Sequence, residues 1–179
     1  MITLLDPSQY RRSPWKNGGG VTTDIAEQGE IWRFGRTPIV APGRFSDYSG
    51  FDRVQILVAG RGLVLQTPDG EIDVRTPFRP VRFAGETPIT SQLEAGPVEV
   101  VNLIGARAAV HLDLEVLGAG QTLALGPGTH IAYCADGPAN LSDPAKQYAL
   151  AADHGLRIEA TGSTMLACSS GRVVVASIT

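Results

Sequence analysis

Arg53-Val54-Gln55-Ile56-Leu57-Val58-Ala59-Gly60-Arg61-Gly62-Leu63-Val64-Leu65-Gln66-Thr67-Pro68-Asp69-Gly70-Glu71-Ile72-Asp73-Val74 holds three apolar segments separated by two tight corners. Each segment is too short for a stable helix and is rich in β-branched and aliphatic residues, the composition of a strand. Gly60 and Gly62 suit a sharp reversal. In Thr67-Pro68-Asp69-Gly70 the proline presets one turn dihedral, and the glycine accepts a conformation that other residues resist. Strand, corner, strand, turn, strand is an antiparallel meander.

The same rhythm extends in both directions. The 21 glycines and 12 prolines punctuate the chain at intervals of about ten residues, the spacing of an all-β sandwich or barrel. Strands are expected at 2–5, 21–26, 31–39, 53–59, 62–67, 71–74, 80–84, 90–93 and 97–104. Beyond these come 109–116, 121–125, 129–134, 147–151, 155–159, 163–168 and 172–178. One competing signal is helical: Asp143-Pro144 can cap a short helix bearing Ala145, Tyr148, Ala149 and Ala152.

Composition narrows the function classes. Apolar residues make up 43% of the 179 and charged residues 18%, so a packed core is affordable and disorder is not indicated. The net charge of −3 is scattered and includes no basic block, which argues against nucleic acid as a partner. No apolar run is long enough to span a membrane as a helix, and the start of the chain lacks a basic, then apolar leader, so a cytoplasmic location is expected. Cys134 and Cys168 lie in apolar contexts with no Cys-x-x-Cys spacing and read as buried free thiols.

Chemistry concentrates in the first half, which contains both tryptophans and all five phenylalanines. Pro14-Trp15-Lys16-Asn17-Gly18-Gly19-Gly20-Val21-Thr22 sets three consecutive glycines beside an aromatic ring, a cation and a carboxamide. Such a stretch can present backbone amides to a small polar ligand with Trp15 as a wall, or can be a turn with Trp15 in the core. It is neither a phosphate-binding loop, because Lys16 precedes the glycines, nor a dinucleotide fingerprint, because a strand follows them.

Further on, Trp32-Arg33 places one side chain on each face of a strand. A loop dense in Phe45, Ser46, Tyr48 and Phe51 leads into Asp52-Arg53 and can wall a pocket. Asn102 interrupts an apolar strand and needs partners if buried. Arg33, Arg53, Arg82 and Lys16, with Asn17 and Asn102, can together grip a carboxylate, since arginine pairs with that group in fixed geometry. The three histidines, His111, His130 and His154, are isolated, so neither a metal nor another cofactor is expected.

These blocks, in their order, resemble the HutD/Ves family. The resemblance runs from the Pro14–Thr22 stretch through Trp32-Arg33, Gly43-Arg44-Phe45-Ser46 and Gly50-Phe51-Asp52-Arg53. It continues through Leu57–Gly62, Arg82-Phe83-Ala84-Gly85-Glu86 and Asn102-Leu103. It implies a bicupin, two antiparallel β-barrels of jelly-roll type, with one unit at residues 1–105 and a plainer one at 106–179. It also implies a metal-free modulator or sensor with no established enzymatic activity, linked to histidine utilisation or stress response. Its ligand would be a small carboxylate such as N-formylglutamate or urocanate. The expected ligand-binding residues are Trp15, Lys16, Asn17, Gly18, Gly19, Trp32, Arg33, Phe45, Ser46, Arg53 and Asn102. The chain departs from the family's usual pattern at Phe34–Ile39, at Glu99-Val100-Val101 and at Gly105-Ala106-Arg107-Ala108.

Two other readings compete. An isomerase or hydrolase would use Glu86, Asp52 or Glu99 as general acid or base. An interaction protein would form a homodimer through exposed sheet edges.

Overall fold

The computed structural model describes residues 1–179 and divides into two compact units, Tyr10–Leu112 and Met1–Gln9 with Asp113–Thr179. Strand β1 (Ile2–Leu5) and a 3-10 turn (Pro7–Gln9) open the chain. The unit Tyr10–Leu112 contains β2 (Arg11–Pro14), β3 (Val21–Gln28), β4 (Trp32–Ile39), β5 (Gly43–Arg44), β6 (Phe51–Ala59), β7 (Leu63–Thr67), β8 (Gly70–Asp73), β9 (Val81–Ala84), β10 (Thr90–Leu93) and β11 (Val98–Ala106). Their sheet orders are β2-β3-β4-β11-β6-β9 and β5-β10-β7-β8. The opening meander forms as its composition dictates, with β7 and β8 paired from Val64–Asp73 to Thr67–Gly70. The Thr67 hydroxyl ties the turn by donating to Gly70 O at 2.8 Å.

The other unit adds β12 (Leu112–Gly118), β13 (Thr122–Leu125), β14 (Gly128–Tyr133), β15 (Ala139–Ser142), β16 (Gln147–Leu150), β17 (Gly155–Ala160), β18 (Thr164–Ser170) and β19 (Arg172–Ile178). Its sheets run β1-β17-β14-β19-β12 and β13-β18-β15-β16. No helix is long and apolar enough to cross a membrane.

The all-β reading holds, and its closed barrels are corrected: all four sheets are open, each ending in unpaired edges. Strand β5 is only two residues long and pairs through Arg44 and Gly43 alone. So short an edge offers too few ladder bonds to continue the sheet around. The helix at Asp143-Pro144 is also absent. Asp143 Oδ1 accepts from the backbone N–H groups of Ala145 and Lys146, both at 2.7 Å, and the Tyr148 hydroxyl donates to Oδ2 at 3.0 Å. That side chain captures the amides a helix would have used, and β16 follows. Strands β2, β5 and β15 have no counterpart among the expected segments.

Each unit has its own core. In Tyr10–Leu112, Ile39, Leu57, Leu63, Leu65, Val98 and Val100 from both sheets form one cluster. In the other unit Leu141, Leu156, Leu166, Cys168, Val173 and Val175 do the same, and both cysteines are buried free thiols. At about 25 cal/mol per Å² of apolar area, these clusters supply the main favourable contribution to folding.

Candidate functional site

The six-stranded sheet changes character along its inner face. Residues two apart on a strand share a face, so β4 presents Arg33, Gly35, Thr37 and Ile39 together. Strand β6 presents Arg53, Gln55 and Leu57, and β11 presents Val98, Val100, Asn102 and Ile104. At one end these positions are core: Ile39, Leu57, Val98 and Val100. At the other end they turn polar, in two cross-strand rows. Ile104 stands opposite Arg33 on one side and Arg53 on the other; Asn102 stands opposite Gly35 and Gln55.

A cavity opens over this polar end, lined by Trp15, Thr22, Arg33, Gly35, Thr37, Ile39, Phe45, Ser46, Tyr48, Arg53, Asn102 and Ile104. Its volume is about 40 Å³, where one water needs roughly 10–15 Å³. That admits a carboxylate-sized group and about one water. A wider basin of about 390 Å³ adjoins it, also bounded by Arg33, Tyr48 and Ile104, with Lys16, Arg11, Glu27 and Trp32 on its other sides.

Arg53 dominates the electrostatics. It is 7% exposed, and no carboxylate pairs with it. Its Nη2 donates to Asn102 Oδ1 at 3.4 Å, and its Nε has no hydrogen-bond partner. The guanidinium lies 5.0 Å from the ring centres of both Phe45 and Phe83, and 5.6 Å from Tyr48. Aromatic faces attract a cation, by about 0.5–2 kcal/mol each. They do not replace the several kcal/mol lost on burying it. Burial accordingly pulls the Arg53 guanidinium down to about 10, with Arg33 adding repulsion and Tyr48 opposing, so it stays charged at neutral pH.

Tyr48 organises three cations. Arg33 donates to its hydroxyl at 2.7 Å, and Lys16 Nζ sits 4.4 Å from its ring centre. Arg33 alone has an acidic neighbour, with Nε 3.6 Å from Asp24 Oδ1. Asp24 is 4% exposed, and its other oxygen accepts from the Ser13 hydroxyl. Tyr48 is held in place by backbone bonds to Gly85 O and from Phe51 N, both 3.0 Å. A Cβ on Gly85 would lie 2.2 Å from Tyr48 O, so only glycine fits there.

Six of the eleven expected residues meet in the cavity: Trp15, Arg33, Phe45, Ser46, Arg53 and Asn102. Trp15 donates from Nε1 to Thr22 Oγ1 at 3.1 Å, and Thr22 in turn bonds the Thr37 hydroxyl at 2.8 Å. Lys16 borders the outer basin instead. Trp32, one residue from Arg33, is turned to the other face of β4, is 2% exposed and donates to Gln28 Oε1 at 3.0 Å. Asn17 is spent locally, on Arg44 O and Gly19 N. Gly18 N bonds Trp15 O and Trp15 N bonds Gly20 O, so amides of the glycine run close their own turn. Among the charged groups proposed beside these, Arg82 donates to Leu112 O at 2.7 Å.

The carboxylates of the enzyme reading lie elsewhere. Asp52 and Glu86 both bind Arg107, which holds Glu86 below the usual carboxylate range, and Glu99 pairs with Arg36. No three His, Cys, Asp or Glu side chains converge as metal ligands. Buried His130 is satisfied at both ring nitrogens by Ser177 and Gly126 O. Missing from the sequence reading as site residues were Gly35, Thr37, Ile39 and Ile104; Thr22 and Tyr48 entered it only as members of the glycine-rich stretch and the pocket-walling loop. The alternation on β4 carried a signal for Gly35, Thr37 and Ile39, which follow Arg33 at steps of two.

The class of protein comes from the fold. The chain is all-β and cupin-like, with a fold likeness (TM-score 0.63, 6% identity) to a salicylate 1,2-dioxygenase from Pseudaminobacter salicylatoxidans, over 94% of this chain and 83% of that one. The family comes from the sequence: the HutD family model matches residues 7–176, and the chain belongs to the HutD family. HutD from Pseudomonas fluorescens, solved in a formate condition, has a TM-score of 0.83 at 24% identity, covering 100% of this chain and 98% of that one. A conserved protein of unknown function from Pseudomonas aeruginosa has a TM-score of 0.86 at 22% identity, covering 99% and 97%. An uncharacterized 21.2 kDa protein in the hutC 3′ region of Pseudomonas putida is 32% identical over 111 residues. That match spans 59% of this chain and 58% of the relative's length.

Proposed function

We propose that this protein is a metal-free binder of a small carboxylate, acting as a sensor or modulator in histidine utilisation, with two cupin-like units of which Tyr10–Leu112 carries the site. The observation that carries the reading is Arg53, buried and charged, with no carboxylate in the protein to pair with it. An arginine so placed is costly until an anion meets it, and a carboxylate returns the cost through charge-assisted hydrogen bonds. Arg33 adds a second positive charge, and the amide of Asn102 orients the bound group. Trp15, Phe45 and Tyr48 wall the cavity and lower its dielectric, which strengthens each of these contacts.

The cavity's size supports a carboxylate head inside and the remainder of the ligand in the outer basin near Lys16. The pathway link rests on membership of the HutD family and on the hutC-region relative. The enzyme reading loses support because Asp52, Glu86 and Glu99 are engaged in ion pairs away from the cavity lining.

The test is a thermal-shift and calorimetric titration with formate, acetate, N-formylglutamate and urocanate, with and without a chelator. A ligand bound only by the folded state raises the melting temperature. The expected result is a saturable shift that the chelator leaves unchanged, with the ligand recovered intact. No shift from any carboxylate overturns the reading, and chemical conversion of the ligand restores the enzyme.

A further inference from the structure

Gln55 is fully buried, at 0% exposure, and neither Nε2 nor Oε1 of its amide has a hydrogen-bond partner in the protein. It stands two residues along β6 from Arg53, on the same inward face, and opposite Asn102 across the ladder to β11. Arg53 Nε shares its condition. Two donors and one acceptor without partners therefore cluster on one side of the anion cavity, at the boundary with the apolar core that begins at Leu57.

Native interiors pair almost all such groups, and an unsatisfied buried amide is more costly than an apolar side chain of the same shape. A core requirement does not explain Gln55, because leucine or methionine would fill its place without loss. Asn102, its cross-strand neighbour, lines the cavity. A use of Gln55 by the cavity does explain it.

We infer that Gln55 is a positioning residue of the anion subsite, holding a bridging water between its amide and the bound carboxylate. This inference rests on the carboxylate-binding reading above. A carboxylate alone cannot complete the set, since it has no proton to give Oε1. Water can: it donates one proton to Gln55 Oε1, accepts from Arg53 Nε or Gln55 Nε2, and gives its second proton to the carboxylate. Such a bridge is nearly as favourable as a direct hydrogen bond. Gln55 itself lies behind the lining, so it acts through that water and through Arg53, and does not touch the ligand.

The experiment compares wild type, Gln55→Met and Gln55→Glu, reading the melting temperature without ligand and the Kd for formate and acetate. Gln55→Met is expected to melt no lower than wild type and to bind formate at least about tenfold more weakly, the loss of one charge-assisted contact. Gln55→Glu is expected to remain folded, to neutralise Arg53 from within, and to show no formate binding at concentrations that saturate wild type. Gln55→Met with formate affinity within twofold of wild type overturns the inference. So does a lower melting temperature before any ligand is added, because the amide would then already have its partners. If wild type binds a larger carboxylate and neither formate nor acetate, that ligand takes formate's place in the comparison; wild type that binds no carboxylate overturns the functional reading and this inference with it. Wild type that binds while both variants match it overturns the inference alone.

Discussion

Arg53 Nη2 reaches Asn102 Oδ1 at 3.4 Å, and this long contact to a neutral amide is the only hydrogen bond the buried guanidinium makes. Cross-strand geometry explains it. Arg53 stands opposite Ile104 and Asn102 opposite Gln55, so the two polar side chains meet on the diagonal, across β6 and β11. A diagonal contact holds Arg53 upright without neutralising it. Its charge is left available to the cavity.

Replacing Arg53 with methionine separates function from folding. The variant is expected to melt at or slightly above wild type, because an uncompensated buried cation has gone. Its carboxylate affinity should fall by about 10- to 100-fold, the value of roughly 1.5–3 kcal/mol for hydrogen bonds to a charged group. Calorimetry beside thermal melting checks both, and undiminished affinity would place the anion elsewhere.

Asp24 faces Arg33 Nε at 3.6 Å, and under the proposed carboxylate binding it would compete with the ligand for that arginine. Asp24→Asn removes that competition while leaving an acceptor for the Ser13 hydroxyl. Carboxylate binding should tighten a few-fold, and stability should fall by about 1 kcal/mol through loss of a partly buried ion pair. Weaker binding in Asp24→Asn would show that Asp24 helps aim Arg33 at the ligand.

Gly85 supports the site from outside it. Alanine there drives its Cβ against Tyr48 O and Phe51 O, which the bare positions put at 2.2 and 2.9 Å. The strand or the Tyr48 loop must shift, at a cost of about 1–3 kcal/mol. Because Tyr48 carries Arg33 and Lys16, Gly85→Ala should also weaken carboxylate binding. Denaturant melts and titrations on the same sample measure the two effects.

The thiols predict a pH dependence of stability. Burial pushes Cys134 up to about 12 and raises Cys168 from an ordinary value of 9.0. The unfolded chain releases these protons near pH 9, whereas the folded chain retains them. Their contribution is therefore complete below about pH 9 and is lost as the pH rises above it. Both thiols should resist a disulfide reagent at pH 8 in the native protein and react fully in guanidinium. Replacing Cys134 with alanine should flatten the decline in melting temperature above pH 9.

Strand content was legible because it depends on near neighbours. The Arg53–Val74 meander shows its strands and corners in order, and β10 and β19 fall where composition places them. Asp143-Pro144 misled because a capping aspartate suits a helix and a turn equally, and Lys146 and Tyr148 close the turn. Strands β2, β5 and β15 were illegible for a related reason. Gly43-Arg44 and Ala139–Ser142 have weak intrinsic β preference and are strands only because a partner supplies the ladder.

Part of the site was legible by chemistry alone. Arginine, tryptophan and a lone asparagine within an apolar strand stand out, and Arg33, Arg53, Trp15 and Asn102 do line one cavity. Trp32 stood out equally, yet it is absent from that cavity and borders only the outer basin, because adjacent strand residues point to opposite sides.

The sequence by itself determined that this chain is built from short antiparallel strands, that it belongs to the HutD family, and that its tryptophans, phenylalanines and most of its arginines lie in roughly its first hundred residues. Those properties follow from local preference and from ordered motifs. The tertiary structure alone decided that the sheets stay open, that Tyr48 gathers three cations, that Arg53 is buried without a carboxylate, and that the Gln55 amide is buried without a partner. Each depends on which strands lie side by side, and β4, β11 and β6 are adjacent in the sheet though far apart in the chain. A buried charge is expressed only when distant segments close around it and exclude the water that would have paired with it.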